Sequence, residues 1–224
     1  MPYESSADGH LRFKPASGSA AFAIVILHGV GSWPEHLVHA AEILAQDFPQ
    51  AAISILNGFE PFDAHPHVAG RQWFSVKDVT DANRGARIRQ SLPRVETLIA
   101  EEARLAGVSL DHVAVLGFSQ GAMMALHLAL LSQTPVAYVG SFAGRITVEP
   151  DDRFAPGTTR VFISHGAADK VVPFTAMDEA ANILSAHGHA VSTLAVDGEH
   201  DLALIQIRSV ETDLRRIFPA TPAS

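Results

Sequence analysis

The chain has 224 residues, a length that suits one domain with a substantial core. Apolar residues make up 47% and charged residues 18%, a globular balance, and no apolar run approaches the roughly 18 residues of a membrane span. The formal net charge is −8 and the basic residues form no cluster, so we expect no nucleic-acid partner, because the phosphate backbone would be repelled.

The chain contains no cysteine, which excludes disulfides, zinc–thiolate sites and cysteine nucleophiles. Its first 19 residues show no basic start followed by an apolar stretch, and we therefore expect no secretory signal and a cytoplasmic protein. We expect a single domain over residues 1–224, with residues 1–19 as a peripheral N-terminal segment.

Strand and helix patterns alternate from residue 21 onward. Residues 21–27 are continuously apolar and end at His28, which is typical of a strand covered on both faces. A helix with Pro34 near its start follows. The predicted helices are 34–48, 81–106, 120–132, 173–187 and 202–217, and the further strands are 51–56, 112–116, 135–139, 160–164 and 190–196. This alternation predicts an α/β fold with a mostly parallel central sheet and helices on both faces.

Two segments depart from this regular pattern. Within helix 81–106, Pro93 is expected to kink or divide the helix, and Gly107 is expected to end it. The second segment, residues 57–80, is long for a loop in a compact domain, and such loops are usually functional or disordered. Its aromatic residues argue against disorder, and we expect it to fold over part of the molecule; they are Phe59, Phe62, Trp73 and Phe74.

A glycine-flanked serine lies between a predicted strand and a predicted helix. The motif reads GFSQG with Ser119 at its centre, a pattern that chance would supply roughly 0.1 times in this composition. Its context is that of a nucleophile elbow, a strained turn in which side chains at Gly117 and Gly121 would clash. The alternative is an ordinary turn in which Ser119 caps the helix.

A serine nucleophile needs a base, and the base needs an acid that orients it. In this type of fold the order along the chain is serine, acid, histidine, each after a strand. Asp169 and His200 each follow a predicted strand in that order. Glu199 and Asp201 are neighbours of His200, and adjacent side chains normally point apart. Asp169 is therefore the predicted orienting acid.

Acyl transfer also needs N–H donors for the oxyanion. The backbone amide of Gln120, next to the serine, is one candidate. The other is the amide of Val30 in the loop after the first strand, where Gly29 and Gly31 let the backbone bend toward the site. The alternative for this loop is a plain flexible strand end.

The 12 histidines raise the question of a metal site. His65 and His67 offer two ligands in a proline loop, with no acidic pair at ligand spacing. We therefore expect no metal and no cofactor.

Together these motifs resemble those of the phospholipase/carboxylesterase family of serine hydrolases, which includes the acyl-protein thioesterases. LHGVG, GFSQGA, SHGAADKVVP and GEH are similar to the ordered blocks of that family, and AGRQWFSV with DANRGAR is similar to its bacterial YpfH-type esterase branch. The resemblance spans about residues 22–215. Many members have glycine where this chain has Ala122 and aspartate where it has Ser75, a serine that the branch shares.

The resemblance implies an α/β-hydrolase fold, a triad of Ser119, Asp169 and His200, and the two oxyanion donors named above. It also implies that Trp73 and Phe74 lie beside the acyl pocket. We expect this pocket to be open, with Phe142 as a further wall.

These residues predict a serine carboxylesterase that hydrolyses short- to medium-chain esters through an acyl-enzyme on Ser119. Only residues 141–159 separate two successive strands where many relatives of the broad fold insert a lid, so we expect no large lid domain. Hydrolysis of acyl thioesters or lysophospholipids by the same triad stays open, as does a non-catalytic binding protein. The expected partner is a small-molecule ester, and a homo-oligomer is left open.

Overall fold

A computed structural model of the chain describes residues 3–16, 18–65 and 67–219. Its strands are β1 (Glu4–Ser5), β2 (Leu11–Phe13), β3 (Phe22–Leu27), β4 (Ala51–Leu56), β5 (Glu60–Pro61), β6 (Arg71–Gln72), β7 (Val113–Phe118), β8 (Tyr138–Phe142), β9 (Arg160–Gly166) and β10 (Ala190–Val196). Its α-helices are α1 (Val38–Asp47), α2 (Asp81–Ala106), α3 (Gln120–Leu131), α4 (Thr175–Ala186) and α5 (Leu204–Ile217).

Eight of these strands form one sheet in the order β1-β2-β4-β3-β7-β8-β9-β10. The six strands from β4 to β10 in this order pair in parallel, whereas β1 and β2 add to one edge in antiparallel fashion. The predicted, mostly parallel sheet is therefore confirmed. Because the strands are parallel, their carboxyl ends meet at one edge, where the loops after β3, β7, β9 and β10 come together.

Helices cover both faces of the sheet, as the apolar runs predict. Along β3, Val25 and Leu27 are buried in a core shared with α2, α3 and α4, whereas Ile24 and Ile26 are buried in a second core shared with α1 and α5. Successive side chains of a strand point to opposite faces, so a strand between two helical layers has to be apolar at every position.

The segment before β3 does more than lie at the periphery. β2 pairs with β4 at the edge of the sheet, and Leu11 and Phe13 are buried in the second core. We expected residues 1–19 to be peripheral; within the part that the structure describes, they are at the edge in position but contribute two side chains to the core.

Most predicted elements are confirmed to within two residues at each end, and three show larger differences. The first helix begins with a 3₁₀ turn at Pro34–Leu37 before α1. α2 is continuous through Pro93 instead of being divided there, and it ends at Gly107 in the left-handed region with φ 73°. The strand predicted at 135–139 is instead Tyr138–Phe142, because pairing with β7 and β9 on both sides sets its extent.

The connection from β8 to β9, residues 143–159, contains no helix or strand, and no lid is present there. Within the described residues, no helix combines the length and hydropathy that a bilayer crossing requires.

Candidate active site

Ser119 lies on a sharp turn between β7 and α3. Its backbone has φ 52° and ψ −112°, a conformation that costs a residue with a side chain on the order of 1–3 kcal/mol. The side chain makes no capping hydrogen bond to α3, so the alternative in which Ser119 is an ordinary helix cap is wrong. The turn instead directs the hydroxyl away from the helix.

The glycines of the motif are required by close backbone contacts. A Cβ on Gly117 would lie 2.3 Å from the carbonyl oxygen of Gly121, and a Cβ on Gly121 would lie 2.2 Å from the carbonyl oxygen of Leu27. Only glycine fits at such distances, so both positions allow α3 to start directly against β7 and β3.

Ser119, His200 and Asp169 form a hydrogen-bonded series. Nε2 of His200 lies 2.8 Å from Oγ of Ser119, and Nδ1 of His200 lies 2.7 Å from Oδ2 of Asp169. With Nδ1–H donating to the carboxylate, Nε2 is free to accept the serine proton. The structure thus brings together the three side chains predicted as the triad, although their catalytic roles remain predictions.

The Asp169 carboxylate is held by backbone amides as well as by the imidazole. Its Oδ1 accepts hydrogen bonds from the N–H groups of Val171 at 2.7 Å and Val172 at 2.9 Å. Burial of the carboxyl would raise its pKa, but the hydrogen bonds from His200, Val172 and Val171 outweigh this effect and lower the pKa below its ordinary value. Asp169 is therefore ionised at neutral pH.

The loops after β9 and β10 are tied to one another. The N–H of Ala168 donates to the carbonyl of Gly198 at 2.9 Å, and a Cβ on Gly166 would lie 2.1 Å from the carbonyl oxygen of Glu199. These contacts hold His200 against the loop that carries Asp169. Glu199 and Asp201, by contrast, make no hydrogen bond to His200 among the residues described.

The loop after β3 passes directly over the serine. A Cβ on Gly29 would lie 3.3 Å from Cβ of Ser119, and Gly31 has φ 70° and donates its N–H to the carbonyl of Arg71 at 2.8 Å. Neither the amide of Val30 nor that of Gln120 has a hydrogen-bond acceptor in the described parts of the chain. Two free N–H groups beside a serine hydroxyl suit an oxyanion, and this role remains a prediction.

The imidazole of His28 holds the backbone of this loop in place through hydrogen bonds. Its ring is buried, its Nδ1–H donates to the carbonyl of Gly29 at 2.7 Å, and its Nε2 accepts the N–H of Gly58 at 2.9 Å. Burial lowers the pKa of His28 to about 4, so the ring is neutral. In a trans peptide the C=O and N–H point in opposite directions, so fixing the Gly29 carbonyl also fixes the N–H of Val30.

The side chain of Gln120 joins the nucleophile turn to the long aromatic loop. Its Oε1 accepts the N–H of Trp73 at 2.8 Å, and its Nε2 donates to the carbonyl of Phe74 at 2.7 Å. Nε1 of Trp73 donates to the carbonyl of His28 at 2.8 Å, and its ring meets Phe59 edge-on at 5.4 Å. The loop expected to fold over part of the molecule therefore folds against the serine and the loop after β3.

The predicted pocket residues are all buried, but they differ in where their side chains lie. Trp73 and Phe74 lie next to the site, but their side chains are only 1% and 6% exposed, so their contact with substrate stays a prediction. The expectation for Phe142 is wrong. Its ring is buried in the core shared with α1 and α5, where it packs against Phe162 with ring centroids 6.3 Å apart. Because side chains alternate along β8, the ring of Phe142 lies on the face of the sheet that α1 and α5 cover.

Side chains suited to metal binding are not gathered in the described residues: no three His, Asp or Glu groups there could hold a metal ion. The two possible ligands in the proline loop, His65 and His67, flank Pro66, which lies outside the described residues.

Sequence reasoning missed two supporting side chains, those of His28 and Gln120. The sequence signal for each is a polar residue inside an otherwise apolar or glycine-rich motif, LHGVG and GFSQG. Their partners lie as far as 47 residues away, between Gln120 and Trp73, and no local pattern indicates such pairs.

Comparisons with known proteins agree with this geometry. A family model described as Phospholipase/Carboxylesterase matches residues 10–216. The chain is 31% identical to Esterase YpfH of Escherichia coli (strain K12) over 199 residues, which cover 88% of this chain and 83% of that protein. It is 25% identical to Acyl-protein thioesterase 1 of Yarrowia lipolytica over 179 residues, covering 71% and 74%.

Solved structures share the fold. The crystal structure of esterase PE8 superposes with a TM-score of 0.83 at 24% identity, covering 97% of this chain and 100% of that one. A carboxylesterase from Mesorhizobium loti gives a TM-score of 0.76 at 23% identity, covering 96% and 99%. At these identities the structures show the fold alone, and with the family model they confirm the implied α/β-hydrolase fold.

Proposed function

The chain belongs to the phospholipase/carboxylesterase family of α/β-hydrolases, and from this premise we propose that it hydrolyses short- to medium-chain carboxylic esters through an acyl-enzyme on Ser119. The observation that carries the proposal is the hydrogen-bonded series from Ser119 through His200 to Asp169. A hydrolase-fold protein that only binds a ligand has no need of this series, which counts against the non-catalytic alternative.

In the acylation half of the reaction, Oγ of Ser119 attacks the ester carbonyl carbon while its proton moves to Nε2 of His200. The ionised carboxylate of Asp169 stabilises the imidazolium that forms. The carbonyl electron pair moves onto oxygen, where the amides of Val30 and Gln120 are the assigned donors. Collapse of the tetrahedral intermediate then breaks the ester C–O bond, and the leaving alcohol takes the proton from Nε2.

In the deacylation half, water replaces the alcohol. His200 accepts a proton from the water as its oxygen attacks the acyl carbon, and the same two amides receive the second oxyanion. Collapse breaks the bond to Oγ of Ser119, which regains its proton from Nε2. The products are one acid and one alcohol, and the protein returns to its starting state.

The preference for short and medium acyl groups is supported by the connection 143–159, which has no helix or strand to close over a long chain. The proposed acyl pocket uses the remaining exposed parts of Trp73 and Phe74. A second candidate, acyl thioester or lysophospholipid hydrolysis by the same triad, is favoured by the similarity to proteins named Acyl-protein thioesterase 1.

A fluorophosphonate probe tests the mechanism, because it reacts covalently with activated serines. We expect the wild-type protein to be labelled and Ser119→Ala to be neither labelled nor active. Ser141→Ala is a matched control, since Ser141 is also buried at a strand end but makes no hydrogen bond with the described residues through Oγ. An unlabelled wild type, or full labelling of Ser119→Ala, would overturn the mechanism.

A substrate series separates the two candidates. Rates on p-nitrophenyl esters from acetate to palmitate, set beside acyl-CoA thioesters of the same lengths, should be highest for short and medium esters. A preference for long acyl thioesters would favour the second candidate instead.

The proposal also includes one catalytic domain spanning the chain, a small-molecule ester as partner and a cytoplasmic location, with a homo-oligomer left open. Cell fractionation tests the location, and light scattering of the purified protein measures the assembly.

A further inference from the structure

A second histidine contacts the acid of the site. His165 lies on β9, four residues before Asp169, and its side chain is fully buried. Its Nε2 lies 3.1 Å from Oδ2 of Asp169 and 3.0 Å from the carbonyl oxygen of Val172. Oδ2 is also the oxygen that receives Nδ1 of His200 at 2.7 Å. Two imidazoles therefore converge on one carboxylate oxygen.

The neighbours of His165 determine where its proton lies. The oxygens of an ionised carboxylate and of a peptide carbonyl only accept hydrogen bonds, so Nε2 carries a hydrogen, which it donates to the carbonyl of Val172 while it faces Oδ2 of Asp169. Nδ1 is buried and has no partner among the described residues, and a hydrogen there would be an unsatisfied donor. The geometry therefore makes His165 a neutral imidazole protonated at Nε2.

The orientation of this ring is fixed by packing. Phe174 meets the His165 ring edge-on, with centroids 6.1 Å apart and an interplanar angle of 87°. The ring has no exposed surface, so it makes no contact with substrate and acts only through the groups it touches.

We propose that His165 is a positioning residue of the hydrolytic site: its Nε2–H holds the carbonyl of Val172, whose own N–H donates to Asp169, and it faces Oδ2 of Asp169, which limits how strongly that oxygen attracts the His200 imidazolium. This inference rests on the proposed function, because it assigns His165 an effect on the same triad.

The physical basis is the set of N–H groups around one carboxylate. Val171 and Val172 donate hydrogen bonds to Oδ1 and His200 donates to Oδ2, while the Nε2–H of His165 lies against Oδ2 at 3.1 Å. Each N–H group that faces the charged form stabilises that form. Without His165, Oδ2 would attract the His200 imidazolium more strongly. The orientation of the Asp169 carboxylate would also be less fixed.

Other charged groups near this pair lie at the surface. Lys170 and Glu199 flank Asp169 and His200 in sequence, and their side chains are exposed and approach each other at 4.0 Å. Asp197 and Asp201 are on the His200 loop. Asp197, Glu199 and Asp201 belong to the loop after β10, which His165 does not contact, and the side chain of Lys170 on the Asp169 loop is exposed. A shift in the pH profile of His165→Leu therefore reports on the buried pair.

The first experiment uses the unaltered protein. Long-range ¹H–¹⁵N NMR of the histidine rings at pH 7 should show His165 with a protonated Nε2 and an unprotonated Nδ1. A spectrum with the proton on Nδ1 would overturn the inference without requiring any variant to fold.

The second experiment compares three variants by kcat, KM and the pH midpoint of kcat/KM on a short p-nitrophenyl ester. In His165→Leu we expect kcat to fall about 10-fold with little change in KM, because the acid of the triad is less well positioned in the transition state. The pH midpoint should rise by about 0.5 unit or more, because the less shielded carboxylate favours the protonated base.

Two comparisons separate this effect from a loss of packing. His165→Gln keeps an N–H at the reach of Nε2 and should restore both kcat and the pH midpoint. His127→Leu is the matched control, because His127 is equally buried but bonds to Met123 and Thr147 instead of the triad. An unchanged pH midpoint in His165→Leu, or an equal rise in His127→Leu, would contradict the proposal.

Failure of the proposed function gives a different result. If Ser119→Ala keeps its activity, the proposed function fails, whereas the NMR result for His165 is unaffected. If Ser119→Ala is inactive while His165→Leu has a wild-type pH profile, only the role of His165 fails.

Discussion

Oγ of Ser119 lies 2.8 Å from Nε2 of His200, although 81 residues separate the two along the chain. They meet because β7 and β10 end at the same edge of the parallel sheet, with β8 and β9 between them. The Asp169 loop follows β9 and completes the series. A site assembled from three separate loops should respond sharply to changes in any one of them.

Replacing Asp169 tests whether this acid holds the His200 imidazole with its proton on Nδ1. In Asp169→Asn we expect kcat to fall by roughly 10³ to 10⁴ with little change in KM, because an amide can turn its NH₂ toward Nδ1 and place the histidine proton on the wrong nitrogen. Steady-state kinetics on a short ester measure this loss. Asp201→Asn is the control, since Asp201 adjoins His200 in sequence; an equal loss there would contradict the assignment of Asp169.

The side chain of Gln120 should stabilise the fold, independently of the role of the Gln120 backbone amide. Gln120→Leu keeps that amide but leaves the N–H of Trp73 and the carbonyl of Phe74 unpaired and buried. At about 1–3 kcal/mol for each unpaired group, the free energy of unfolding should fall by roughly 2–6 kcal/mol. Urea unfolding measures it, with Gln46→Leu on the exposed face of α1 as control. A wild-type urea midpoint for Gln120→Leu would refute the linking role.

Gly121 should be far less tolerant than Gly107. A Cβ at Gly121 would lie 2.2 Å from the carbonyl oxygen of Leu27, so α3 or β3 must move, and we expect a loss of about 3 kcal/mol or more. At Gly107 nothing lies within 4 Å and only the positive φ is strained, which costs about 1 kcal/mol. Denaturant unfolding of the two alanine variants measures the difference, and equal losses would contradict the close contact.

Two buried histidines should make stability depend on pH. Burial lowers the pKa of His28 and of His127 to about 4, from an ordinary value of 6.5. Between these values the unfolded chain binds more protons than the folded one, so the free energy of unfolding falls as pH falls from about 6.5 to about 4. Each histidine contributes at most about 3 kcal/mol to this fall.

Variants of one of these histidines test the pH effect. Urea unfolding at pH 7.5 and 4.5 should show a fall that is smaller by about 2 kcal/mol in His127→Gln than in the wild type. His112→Gln serves as the control because His112 is exposed. The same fall in all three proteins would show that His127 does not titrate in this way.

Local sequence patterns were sufficient for much of the fold. Strands 51–56 and 190–196 were predicted with their observed bounds, as was helix 81–106. These elements are marked by apolar runs, by helix-favouring composition and by Gly107, all of which act within a few residues. Pro93 did not divide α2, because Leu92 and Val95 on either side of it are buried in the core and stabilise the helix there.

Local sequence patterns do not determine the register in which strands pair. The strand predicted at 135–139 became β8 at Tyr138–Phe142, because its pairing with Val115 on β7 and Val161 on β9 sets which residues are extended. The same register turns Phe142 toward the core, away from the site where the sequence suggested it. A side chain at a strand end points to one face or the other only once pairing is set.

The sequence by itself determined the identity and order of the residues that meet at the site: the serine between two glycines, then Asp169, then His200, each after a strand. It could do so because an elbow, a strand end and a glycine-rich loop are local features with local signatures. Only the tertiary structure decided that His28 supports the loop of Val30, that Gln120 holds the aromatic loop, and that His165 shares the oxygen of Asp169 with His200. These are contacts between side chains or loops whose geometry depends on the folded backbone, and directional hydrogen bonds form only when that backbone has brought donor and acceptor to the right distance and angle.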